Sequence, residues 1–118
     1  MQSNELVKLV ETELDQRKGL HISTLDVHNK TNITDYMVIV SATSARHAKS
    51  LADYVSEKVK ENGVMPLGLE GQNGSDWVLL DLGDVIVHIF DSEHRDFYQL
   101  DRLWGDAPRV PVPEEFQA

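Results

Sequence analysis

Asp76-Trp77-Val78-Leu79-Leu80-Asp81-Leu82-Gly83-Asp84-Val85-Ile86-Val87-His88-Ile89-Phe90 is the stretch on which the fold turns. Trp77, Leu79 and Asp81 alternate with Val78 and Leu80, so the two sets lie on opposite faces of a strand. Leu82-Gly83 interrupts the run, and the glycine supplies the positive φ that a tight connection between strands needs. Asp84 to Phe90 then reads as the returning strand. The whole is a β-hairpin, and Asp91-Ser92 caps a helix from Glu93 to Trp104 that follows it and closes at Gly105.

Working outward, Met65 to Glu70 reads as a strand and Gly71 to Ser75 as a flexible loop. Upstream, Tyr36-Met-Val-Ile-Val-Ser-Ala42 is a continuous apolar run, the composition of an interior strand covered on both faces. Thr43 or Ser44 caps a long helix that ends at Asn62-Gly63, with Ala45, Ala48, Leu51, Ala52, Val55 and Val59 on its inner side. His21 to Val27 is a short strand, and residues 28–35 are polar and turn-rich. Leu6, Val7, Val10 and Leu14 form one stripe of a first helix over Glu5 to Arg17, stopped by Lys18-Gly19. The order α-β-β-α-β-β-β-α predicts a single α/β domain over residues 1–105, a mixed sheet of about five strands with helices packed on it. Residues 106–118 form a Pro-rich tail in which Pro108, Pro111 and Pro113 argue for extended chain without regular structure.

Composition narrows the function. At 118 residues and 41% hydrophobic content the chain suits one globular domain, and no apolar run is long enough to cross a membrane. The N-terminal residues lack the pattern of a secretory or transit signal, so a cytoplasmic protein is expected. With no cysteine there is neither a disulfide nor a thiolate metal site. Net charge is −9 and unevenly spread: nine acids face eight bases up to Glu61, and eleven acids face three bases after it. Such a half attracts basic partners and repels phosphate. Sequence-specific nucleic-acid binding is therefore not expected.

Catalytic constellations are sparse. Gly74-Ser75 ahead of a strand ending in Asp81 invites comparison with nucleotidyltransferases, which hold two metal ions on carboxylates alternating along one strand. Here the next acid, Asp84, lies across a turn, and residue 83 is glycine, so the pair is missing. His21, His28, His47, His88 and His94 form no ligand pair at helical spacing. His88, inside an apolar strand, reads as a hydrogen-bonded core or rim histidine. Surfaces are more informative. On the last helix Phe97, Leu100, Leu103 and Trp104 share the inner sector, and Arg95, Tyr98 and Arg102 lie opposite, the composition either of an interface hot spot or of a solvated face. A Trp beside a carboxylate on one sheet face is likewise half-buried under a helix or part of a docking surface.

Several of these segments resemble the ribosomal silencing factors, the Iojap-like family. They are Leu25-Asp-Val27, Thr34-Asp-Tyr36, Ser41-Ala-Thr-Ser-Ala-Arg-His47, Leu67-Gly-Leu-Glu-Gly71, Asp76-Trp77 with Asp81 to Phe90, Arg95-Asp-Phe-Tyr98 and Leu103-Trp104. The match runs from about residue 20 to 104, and the block from Asp76 is its most specific part. The resemblance implies a nucleotidyltransferase-like topology without catalytic carboxylates, no cofactor and no enzymatic activity. It implies docking on the large ribosomal subunit through a basic ribosomal protein, number fourteen in the standard list, where the subunits meet. A domain seated there blocks joining of the small subunit and represses translation. Carried over, Trp77, Asp81, His88 and Tyr98 lie on or beside the docking face, and Leu79, Arg95 and Arg102 are inferred additions. Family members form dimers, so self-association is a further option. The alternatives are a divergent metal-dependent nucleotidyltransferase using Ser75, Asp81 and Asp84, and a generic acidic adaptor for another basic protein.

Overall fold

The structure, a computed structural model, describes residues 1–71, 77–91 and 107–112. Its elements are α1 (Ser3–Gln16), β1 (Leu20–Asp26), β2 (Tyr36–Ala42), α2 (Ala45–Glu61), β3 (Gly68–Glu70), β4 (Trp77–Asp81), β5 (Val85–Asp91) and β6 (Arg109–Val110). The strands form one mixed sheet in the order β3-β4-β5-β2-β1-β6. Among the described strands only β2 and β5 run parallel, because α2 carries the chain back across the sheet before the hairpin begins. Every other neighbouring pair is antiparallel.

The two described helices, α1 and α2, cover one face of the sheet. Leu6, Val7, Val10 and Leu14 of α1 and Ala48, Leu51, Ala52, Val55 and Val59 of α2 pack on Val38, Val40, Val78, Leu80, Val85, Val87 and Ile89. The 3.6-residue stripes of the helices thus meet the period-2 inner positions of the strands, the match the sequence patterns require. Ser44 caps α2 by accepting from the His47 backbone N–H at 3.1 Å. On α1 the Glu5 carboxylate reaches back to the Gln2 N–H at 3.2 Å. Buried Glu11 is tied to β1 by the Thr24 hydroxyl, which donates to its Oε2 at 2.6 Å, and burial pushes its carboxyl above the usual pKa.

The expected hairpin is present. Leu82 N–H donates to the Val85 carbonyl at 2.9 Å, and Gly83 sits at φ 86°. Two details differ from expectation. Among the described residues the mixed sheet of about five strands gains a short sixth at its edge: residues 109–110, placed in a tail without regular structure, pair with β1 at Thr24 and Leu25. Proline does not prevent this at a sheet edge, where half of the backbone groups face outward. Pro108 even contributes, its carbonyl accepting from Asp26 N–H at 2.8 Å. The strand expected from Met65 is shorter, starting only at Gly68. Pro66 has no N–H, and Leu67, whose N–H already bonds the Asp81 carbonyl, is 72% exposed. The last helix expected over Glu93 to Trp104, with Arg95, Tyr98 and Arg102, lies outside the described residues.

Candidate docking face

The second sheet face is built by register. Trp77 pairs with Phe90, Leu79 with His88 and Asp81 with Ile86 across β4 and β5. Glu70 pairs with Leu79 from β3, and Ile39 with His88 from β2. Residues opposite one another share a face, so Glu70, Leu79, His88 and Ile39 form one row and Asp81, Ile86 and Met37 the next. Exposure changes along these rows. Ile39 and Phe90 are fully buried, whereas Trp77, Leu79 and Asp81 are only partly covered. The face thus opens toward β4 as an apolar strip, Trp77 and Leu79, flanked by the carboxylates of Glu70 and Asp81.

Trp77 is held from beneath. Its ring stacks on Phe90 with centroids 5.2 Å apart and an interplanar angle of 27°, and tilts over His88 at 5.7 Å. Its indole N–H donates to His88 Nδ1 at 3.1 Å. Accepting at Nδ1 puts the proton of neutral His88 on Nε2. That nitrogen is buried without a hydrogen-bond partner, and His88 is 4% exposed. Desolvation lowers the His88 pKa from 6.5 to about 4, so the ring is neutral at physiological pH. His88 accordingly supports Trp77 from below. The hairpin register already placed it there: with the turn at Gly83, Trp77 is the diagonal neighbour of His88.

Asp81 serves the turn as well as the rim, its Oδ1 accepting from Gly83 N–H at 2.9 Å. Among the described residues no group of three or more His, Cys, Asp or Glu side chains is arranged to hold a metal ion. Sequence reasoning singled out Trp77, Leu79, Asp81 and His88, which the sheet brings together; it missed Phe90, the floor of the stack. Ser75, the remaining member of the nucleotidyltransferase alternative, lies outside the described residues.

Gly71 sets how the chain approaches Trp77. It lies at φ 84°, and a Cβ there would stand 2.3 Å from the Trp77 carbonyl oxygen, a clash with backbone. We expect Gly71→Ala to cost about 2 kcal/mol or more of stability. Urea denaturation followed by Trp fluorescence measures it; an unchanged midpoint would show that this approach is not constrained.

A mixed sheet with one face covered by α1 and α2 and, on the other, a partly open, acid-rimmed apolar strip defines a single α/β domain with a candidate docking face. A sequence profile of the family described as "Ribosomal silencing factor during starvation" matches residues 1–118, and the chain belongs to that family. Relatives named Ribosomal silencing factor RsfS include one from Zymomonas mobilis, 42% identical over 111 residues, covering 92% of this chain and 84% of the relative. Another, from Haemophilus influenzae, is 41% identical and covers 85% of this chain and 98% of its own. A crystal structure of a Chromobacterium violaceum protein superposes with a TM-score of 0.87 at 38% identity, covering 95% of this chain and 92% of that one. The relatives' names describe a regulatory rather than a catalytic role.

Proposed function

We propose that the chain docks on the large ribosomal subunit through the outward face of β4, on a basic ribosomal protein, and blocks joining of the small subunit by occupying its space. One observation carries this reading: the Trp77–Leu79 strip opens on a surface rimmed by Glu70 and Asp81, in a half of the chain with eleven acids and three bases. Large aromatic anchors on a rigid support, surrounded by complementary charge, are the features of interface hot spots. Support also comes from relatives named as silencing factors and from a mouse relative, 31% identical, named Mitochondrial assembly of ribosomal large subunit protein 1. The partner proposed for this chain is the protein numbered fourteen in the large subunit, and its proposed place of action is the cytoplasm. Arg95, Tyr98 and Arg102 are proposed to extend the contact, and self-association through the same strip would compete with docking.

Co-sedimentation with purified large subunits tests the proposal. The protein is expected to pellet with them at low salt and to dissociate progressively as salt is raised, because steering by the acidic face is screened. Charge reversal at the rim, Asp81→Lys, should weaken binding about tenfold or more. Failure of the wild-type chain to pellet at low salt would end this reading.

A further inference from the structure

Away from the candidate docking face, the described residues of this acidic chain include a cationic corner. Arg17 and Lys18 follow the end of α1, and Arg46 and Lys49 stand on the first turns of α2, where no acid is present. Among the described residues, none of these four cations is in an ion pair. Arg17, Arg46 and Lys49 line an open groove with Ser50 and Tyr54, and the acids Asp53 and Glu57 also line it.

The corner is braced rather than loose. The His47 ring bridges the two helices: Nδ1 accepts from Thr43 N–H at 3.0 Å, and Nε2–H donates to the Arg17 carbonyl at 2.8 Å. The Arg17 guanidinium lies 3.7 Å over the Tyr54 ring. Cations from two helices are thereby held in a fixed relation, which reduces the ordering cost of binding an anion. Register puts the corner at a particular end of the sheet. β2 ends at Ala42 beside Asp91, and Phe90 pairs with Trp77, so α2 begins at the end of the sheet where the Trp77 strip starts.

We propose that this corner holds a phosphodiester backbone, supplied by RNA of the large subunit next to the docking site; the proposal rests on the docking reading above. The net charge of −9 repels RNA, so a docked chain needs local cations wherever it approaches the phosphates. The corner adds affinity only after the strip on β4 has anchored the chain, and reads no sequence. A fully acidic protein surface would suit the same cations, and the experiment separates the two.

The chain has no cysteine, so Ser50→Cys creates a unique attachment point for an iron–EDTA cleavage probe in the groove. Bound to large subunits, this protein is expected to cut ribosomal RNA, more strongly than a probe at Lys60→Cys, about 15 Å along the same helix. The double variant Arg46→Glu, Lys49→Glu should lose about tenfold or more in subunit affinity, and its salt slope should fall by about two. Both positions are exposed, and a circular dichroism melt checks that the variant folds. Wild-type affinity in the variant overturns the proposal. Lost affinity with no RNA cuts assigns the corner to an acidic protein instead, which also overturns it. Co-sedimentation of wild type is scored in the same samples: if it binds but Ser50→Cys cuts nothing, the corner fails alone; if it does not bind, the docking reading fails and takes the corner with it.

Discussion

Trp77→Ala is expected to lower affinity for the large subunit by at least about thirtyfold, a loss of about 2 kcal/mol typical of an aromatic anchor. Trp77 is partly exposed and rests on Phe90 and His88, so truncation removes both the proposed anchor and the lid over the His88 ring. Trp77→Phe separates the two effects. It keeps an aromatic ring on Phe90 while removing the N–H that His88 Nδ1 accepts and the second ring of the indole, so it should lose less affinity than alanine. Fluorescence anisotropy of labelled protein titrated with large subunits reads both variants. A folded Trp77→Ala protein that binds like wild type would remove β4 from the interface.

The second large effect is on stability and depends on pH. His88 has a folded-state pKa of about 4 against 6.5 for the free side chain, because its ring is desolvated. Between these values the unfolded chain binds more protons than the folded one, so stability rises with pH across the window. The contribution is fully present above 6.5 and is lost as pH falls toward 4, on the order of 3 kcal/mol in all. Glu11 acts in the opposite direction, since its raised pKa makes the folded state the better proton acceptor near and above 4.5. His88→Leu isolates the histidine. Urea midpoints between pH 7.5 and 5 should fall clearly more steeply in wild type than in the variant. Parallel curves would show that His88 is not neutral and buried in the fold. At pH 7.5 the variant should be close to wild type, because an apolar side chain leaves no orphaned Nε2–H but also gives Trp77 no acceptor.

Much of the architecture follows from local signals. The alternation from Trp77 to Asp81 and the glycine at 83 each fix an element locally and are found where the sequence placed them, and of the two cap candidates, Thr43 and Ser44, Ser44 is the one that caps. β6 was not legible. Two residues between prolines carry no periodicity, and their pairing is decided by the free edge of β1, where Arg109 also donates to the Ser23 hydroxyl at 2.8 Å. Met65 and Leu67 misled because apolar content alone does not distinguish strand from exposed loop. Of the site, the shared face of Trp77, Leu79 and Asp81 was readable from period 2. The link from Trp77 to His88 required combining that period with the hairpin register. The cationic corner was hidden for a different reason: Arg17 and Arg46 are 29 positions apart in sequence, and only the packing of α1 on α2 brings them to one groove.

Subunit rejoining tests the central claim most directly. Purified large subunits, incubated with a small excess of the protein and then mixed with small subunits, are resolved on a sucrose gradient. Separate subunit peaks are expected, with the protein in the large-subunit fractions and the joined particle restored when Trp77→Ala replaces it. A full yield of joined ribosomes while wild-type protein remains on the large subunit would contradict the steric mechanism outright.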